Sequence, residues 1–249
     1  MSIKPYLYSA PAGLLKDRVI LVTGAGDGIG QAAARCFAEH GATIILAGKT
    51  KSKLEAVYDS IVSADLPTPQ IALIDFAKAE ADDYLEIATR VSEQFKRLDG
   101  LLHNASILGQ LSPIEHHDVA TWYEVMQVNL NSSFLLTQVL IPALKSSKEP
   151  SVIFTSSGVG RAGRAYWGAY AVSKFATEGL SQVLADELNQ VKVNCINPGA
   201  TRTAMRKSAF PGEDPTKLLA PKDILDAYLF LMGSDSNGIS GQSFDCQPK

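Results

Sequence analysis

Tyr170 and Lys174 stand four positions apart in "GAYAVSKFATEGL" (168–180), and Ser157 lies upstream at the end of "SVIFTSS" (151–157). On a helix, such a spacing stacks two side chains one turn apart, so a phenol and an ammonium can face one space. A free tyrosine titrates near 10 and is a poor base at neutral pH. Lowering it by about three units takes roughly 4 kcal/mol of preference for the phenolate. One cation about 4 Å away, at an effective dielectric near 20, supplies that much. Lys174 is therefore expected to draw the Tyr170 phenol down and make it an acid and base. Ser157 is expected to hydrogen-bond a substrate oxygen, and the loop-like "GVGRAGRAYWGA" between them can bring it beside the helix. Taken alone, Tyr-x-x-x-Lys also fits an amphipathic surface pair.

A second motif decides between these. "TGAGDGIG" (23–30) joins the first strand to the first helix and departs from G-x-G-x-x-G. Gly24, Gly28 and Gly30 have the spacing Gly-x-x-x-Gly-x-Gly, with Asp27 and Ile29 between them. Glycines let backbone turn tightly and approach a pyrophosphate held at a helix N-terminus. A glycine-rich turn without a ligand is the other reading. The second strand ends "LAGKTKSK", where Gly48 occupies the place of the carboxylate that would bind a ribose 2′-OH. Lys49 follows and can pair with a 2′-phosphate, so NADP(H) is expected over NAD(H). Lys49, Lys51 and Lys53 also read as a solvated helix start, and Asp27 would repel a phosphate unless turned away.

These groups need a frame. "RVILVTG" (18–24), "TIILAG" (43–48), "PQIALIDF", "DGLLHNA", "SVIFTSS" and "VKVNCINPG" are β-branched or apolar runs that read as buried strands, and "GQSFDCQ" as a last short one. Helical stretches separate them, among them a long one from about Asp118 to Lys145, another from about Tyr170 to Asn189, and one near 222–232. Strand and helix alternate with short connections, which predicts an α/β, doubly wound Rossmann-type fold. Its parallel sheet of about seven strands carries helices on both faces. No linker or repeat interrupts it, so one domain over 1–249 is expected, with an N-terminal extension at 1–15. In such sheets ligands sit at the carboxyl ends of the strands. The loops after Val22, Gly48, Phe76, His103, Phe154 and Ile196 should therefore share one crevice.

A net charge of −3 argues against nucleic-acid or anionic-membrane partners. Cys36, Cys195 and Cys246 lack a Cys-x-x-Cys spacing and fit reduced thiols in a cytosol. His40, His103, His116 and His117 make no metal-ligand pattern, so no metal is expected. The first fifteen residues carry no signal-peptide core, and no apolar run approaches the roughly 20 residues that span a bilayer. A cytoplasmic protein is expected.

With "TGAGDGIG", "HNAS", "VNLN", "TSS", "YAVSK" and "INPGATRT" in order, the chain resembles the short-chain dehydrogenase/reductase family from Val19 to about Asp245. Through "VMQVNLN", "WGAY", "SKFATEGL", "NCINPG" and "TRTAMR" it looks most like the bacterial YciK-type oxidoreductases. The resemblance implies an oxidoreductase exchanging hydride between NADP(H) and a small carbonyl or secondary-alcohol substrate. It implies a catalytic set of Asn129, Ser157, Tyr170 and Lys174, with Asn129 the helix-distorting asparagine that links Lys174 to a water-borne proton path. It further implies cofactor contacts at Asp75 and Phe76 near the adenine and at Asn104 and Ala105 near the ribose. Pro198, Gly199, Thr201 and Thr203 flank the nicotinamide, and Ile29 backs the cofactor. Tyr170 and Lys174 also count among the cofactor contacts, and the segment 200–221 becomes a lid over the substrate.

One departure stands out. The family's Asn-Ala-Gly is Asn104-Ala105-Ser106 here, and the serine is expected to alter ribose contacts and modulate cofactor affinity. Arg202, Arg206 and Lys207 either favour an anionic substrate or stand in solvent, and Tyr166 and Trp167 either line the pocket or pack. The family implies a homo-oligomer, dimer or tetramer, through the helices near 118–145 and 170–189. The alternative to an enzyme is a nucleotide-binding regulator or redox sensor of the same fold with little turnover.

Overall fold

Strand β1 (Val19–Thr23) shows how the sheet is built. It pairs in parallel with β2 (Thr43–Gly48) on one side and β4 (Gly100–His103) on the other, Leu21 lying opposite both Ile45 and Leu101. Its side chains alternate between two cores: Ile20 and Val22 pack on one face, Val19 and Leu21 on the other. Adding β3 (Gln70–Leu73), β5 (Ser151–Thr155), β6 (Lys192–Asn197) and β7 (Ser243–Asp245) gives a seven-stranded parallel sheet of order β3-β2-β1-β4-β5-β6-β7. The computed structural model describes residues 4–248.

The first core lies under α1 (Gly28–Glu39), α2 (Lys51–Val62) and α8 (Asp226–Met232). The second lies under α3 (Ala81–Phe95), α5 (Ser132–Lys145) and α6 (Gly168–Glu187). Burial on both faces explains why the strands read as continuous apolar runs. The order reverses between β1 and β4, and this switch opens the crevice expected from the sequence.

Three local features differ from the sequence reading. The long helix expected over 118–145 is broken: α4 (Val119–Met126) passes into a π-helical turn at Gln127–Asn131 before α5 begins. The Ser132 hydroxyl takes up the Val128 carbonyl at 2.7 Å and the Ser133 hydroxyl that of Asn129 at 3.4 Å, a back-bonding that accompanies distorted turns. The polar 200–221 segment holds a short helix, α7 (Ala204–Ala209), capped where Thr203 Oγ1 accepts the Arg206 N–H at 3.1 Å. The described part of the stretch expected to be an extension, residues 4–15, is packed: Leu15 is fully buried, and the Tyr8 ring meets Phe230 edge-on at 5.3 Å. Among the described residues no helix is long and apolar enough to cross a membrane.

Candidate active site

The loops after β1 to β6 enclose one cleft of about 440 Å³, and its lining joins Gly24, Lys49, Asp75, Asn104, Ser157 and Pro198. At one end the backbone is left bare. Gly24 and Gly28 have φ of +65° and +54°, a region that glycine enters without strain. A Cβ on Gly30 would meet the Gly24 carbonyl and, at 2.6 Å, the Asn104 amide nitrogen. Gly30 therefore does not line the cleft; it lets the loop close against Asn104. Asp27 caps α1 by accepting the Gly28 N–H at 2.7 Å. It also pairs with Lys53, whose hydrogen bond is the main influence holding the carboxyl below its ordinary range. The carboxylate that the sequence set against a phosphate is thus matched by Lys53, in the first turn of α2. Lys49 itself is exposed at the cleft mouth. A bare loop at a helix N-terminus with lysines beside it fits a dinucleotide carrying an extra phosphate.

The middle of the cleft is pinned from below. Thr23 Oγ1 accepts the N–H groups of Asn104 and Ala105 at 2.9 and 3.0 Å. Asp75 and Phe76 line the wall, but the Phe76 ring stacks on Tyr84 at 6.4 Å and belongs to the core. His103, just below, donates to or accepts from Thr137 at 2.8 Å, and burial, reinforced by Lys174, pushes it down to about 3.

At the far end stand Ser157, Tyr170 and Lys174. Ser157 follows β5 and caps a short 3-10 turn, Gly158–Gly160, tied down by Arg161 through Glu178 and Asp245. Tyr170 and Lys174 are 8% and 3% exposed in the first turns of α6. The expected pull of Lys174 on the phenol is not what these side chains produce. The Lys174 ammonium sits 5.6 Å from the Tyr170 ring centroid and donates to the Thr155 carbonyl at 2.8 Å. Burial pushes the phenol up, while the nearby hydroxyls of Ser157 and Ser106 act to lower it. Lys174 is itself pushed down to about 8, again chiefly by burial. Desolvation dominates both shifts because the two groups share one buried pocket.

Asn129 lies behind the cleft. Its Oδ1 accepts the Ile107 N–H at 2.8 Å, and its Nδ2 donates to the Ile107 carbonyl and to Ser173 Oγ, both at 3.0 Å. Ser173 Oγ in turn donates to the Tyr170 carbonyl at 2.8 Å. Pro198, Gly199, Thr201 and Thr203 line the remaining wall, as do Ile29 and Ala105. Trp167 lines the cleft and approaches Tyr170 at 5.8 Å, whereas Tyr166 is 62% exposed. Arg206 reaches the cleft but is held by Glu213 through two bonds of 2.6 Å and lies 3.8 Å over the Phe210 ring. Arg202 and Lys207 stand in solvent.

Sequence reasoning named Lys53 as part of a solvated helix start and Ser106 as a departure from the family pattern, without the pairing of Lys53 with Asp27 or the nearness of Ser106 to Tyr170. Lys53 lies in the first turn of α2, whose start faces the glycine loop.

The short chain dehydrogenase family profile matches residues 18–214. The uncharacterized oxidoreductase YciK of Escherichia coli K12 is 52% identical over 242 residues, 97% of this chain and 96% of the relative. A short chain dehydrogenase of Shigella flexneri 2a complexed with NADP superposes with a TM-score of 0.94 at 51% identity, covering 96% of this chain and 100% of the other. One from Escherichia coli CFT073 complexed with NADPH gives a TM-score of 0.93 at 52% identity, with the same coverage.

Proposed function

The chain belongs to the short chain dehydrogenase family, and from that premise we propose that it exchanges hydride between NADP(H) and a carbonyl or secondary-alcohol substrate, with Tyr170 moving the proton. The observation that carries this reading is the sharing of one cleft by Ser157, Tyr170 and Lys174 with the glycine loop and Lys49. NADP(H), when bound, supplies or takes up the hydride. In the reductive direction Tyr170 Oη gives its proton to the substrate oxygen as charge builds there. Burial keeps that phenol protonated at neutral pH, which is the form a proton donor needs. Ser157 Oγ donates a hydrogen bond to the same oxygen and fixes it against the phenol. Lys174 places a cation beside the ring and stabilises the phenolate left behind. Asn129 keeps the cleft wall and α6 in register.

On the cofactor side, Gly24, Asp27, Gly28 and Ile29 take the pyrophosphate end, with Gly30 behind them. Asp75, Phe76, Asn104 and Ala105 take the adenosine, and Pro198, Gly199, Thr201 and Thr203 the nicotinamide. Lys49 meets the 2′-phosphate, a preference supported by the two similar proteins complexed with NADP and NADPH. The pairing of Arg206 with Glu213 speaks for a neutral carbonyl substrate over an anionic one. Self-association through α5 and α6 is supported by Phe134 and Phe175, which are exposed there. The free thiols support a cytoplasmic setting.

A panel of small carbonyl compounds, read by the loss of reduced-nicotinamide absorbance with NADPH, tests this reading. Turnover of at least one compound that Tyr170→Phe abolishes is expected. Undiminished turnover by that variant overturns the proton role, and no turnover across the panel favours the nucleotide-binding regulator.

A further inference from the structure

Ser106 replaces the family glycine in the cleft wall that Tyr170 and Ser157 also line. The segment that carries it is fastened on both sides. Thr23 holds Asn104 and Ala105, and Asn129 grips the very next residue, Ile107, by both its N–H and its carbonyl. Through Ser173, Asn129 is also tied to the backbone of Tyr170. Ser106 is thus suspended between two anchors, half-buried, and it lines the cleft together with Ser157 and Tyr170, where it acts to draw the phenol down. A glycine there would offer no side-chain partner.

We propose that Ser106 is a positioning residue that holds the Tyr170 hydroxyl throughout turnover, leaving Ser157 free to meet the substrate oxygen. The inference rests on the proton role given to Tyr170. Ser157 has two tasks in a three-residue arrangement, since its hydroxyl partners the phenol before substrate arrives and the substrate oxygen afterwards. Each hydroxyl has one hydrogen to donate. Once Ser157 turns to the substrate, a buried phenolic oxygen that has given up its proton needs another donor, because an unpartnered buried charge is costly. Ser106 supplies it from a segment that does not have to move.

Two variants separate the hydroxyl from the bulk of the side chain. Ser106→Gly restores the family residue and Ser106→Ala keeps the Cβ, so neither disturbs the fold. With the carbonyl compound turned over fastest in the panel, kcat falls about tenfold in both while KM stays put, the loss expected for one hydrogen bond to a charged oxygen. The alkaline limb of the oxidative pH profile moves to higher pH in both. The resonance of 13Cζ-labelled Tyr170, identified by its absence from Tyr170→Phe, begins to ionise at higher pH as well. A tyrosine resonance that titrates identically in wild type, Ser106→Gly and Ser106→Ala overturns the proposal, as does an effect confined to glycine, which would reflect packing alone. If the resonance moves but Tyr170→Phe keeps full turnover, the proton role of Tyr170 fails, and the part played by Ser106 in turnover fails with it.

Discussion

The two ends of the cleft use the same ingredients under opposite solvation. At the phosphate end, Lys53 and Asp27 form an ion pair whose side chains are 53% and 60% exposed. At the catalytic end, Tyr170 and Lys174 are nearly sealed from water, and the backbone around them is fastened by Thr23, Asn129 and Ser173. In the exposed end, water competes for every charge, so single contacts weigh little and adjust easily. In the buried end, desolvation sets protonation before any neighbour does, as the raised phenol and lowered ammonium show. Recognition of a phosphate tolerates the first regime. Proton transfer needs the second.

The largest effect that sharpens this contrast is Tyr170→Phe. Removing a positioned proton donor from a dry site lowers kcat by about 100-fold to 10,000-fold. The change should leave NADPH affinity within a few-fold, as read by quenching of protein fluorescence. A loss of turnover below tenfold would show that the buried end is less specialised than its solvation implies.

His103 gives the next effect, in stability. Its folded value is lowered from 6.5 to about 3 by burial. As pH falls through that window the unfolded chain takes up a proton that the folded chain refuses, so stability falls with falling pH. One such group accounts for a loss on the order of a few kcal/mol across the window. His103→Gln keeps a partner for Thr137 without titrating, so its urea midpoint should decline less steeply with acid. Equal slopes for the two proteins would remove His103 from the account.

The seven-stranded parallel sheet was legible because apolar runs alternate with helical ones, a pattern set by burial on both faces, whereas the order of its strands came from the structure. That Ser157, Tyr170 and Lys174 would share one cleft was legible because helix periodicity and strand ends fix where such side chains point. The distortion at Asn129 was legible only through the family resemblance, because the π turn keeps the apolar spacing of a helix and periodicity alone does not reveal it. The direction of the Tyr170 shift was missed because a charge can be counted from sequence, whereas the water excluded around it depends on distant chain. The pairing of Lys53 with Asp27 was not legible for the same reason, since its partner comes from another loop.

Lys49→Ala tests the exposed end. Losing one solvated cation from a phosphate site should weaken NADPH about tenfold and leave NADH nearly unchanged, as measured by titrating both. Equal losses for the two cofactors would move the 2′-phosphate away from Lys49.

The smallest effect belongs to Lys53→Ala. Lys53 neutralises Asp27, so its removal leaves a bare carboxylate in the loop where the pyrophosphate is proposed to lie. An exposed pair of this kind is worth about 0.2–1 kcal/mol, so NADPH affinity should drop only about two- to five-fold. Repulsion between exposed charges fades once the Debye length shrinks to about 3 Å near 1 M salt, so the loss should vanish there. Lys53→Ala combined with Asp27→Asn should recover the wild-type affinity, because the carboxylate that Lys53 screens is then gone. A penalty that survives both high salt and the second substitution would mean that Lys53 meets the dinucleotide directly, and the exposed end would then depend on single contacts as the buried end does.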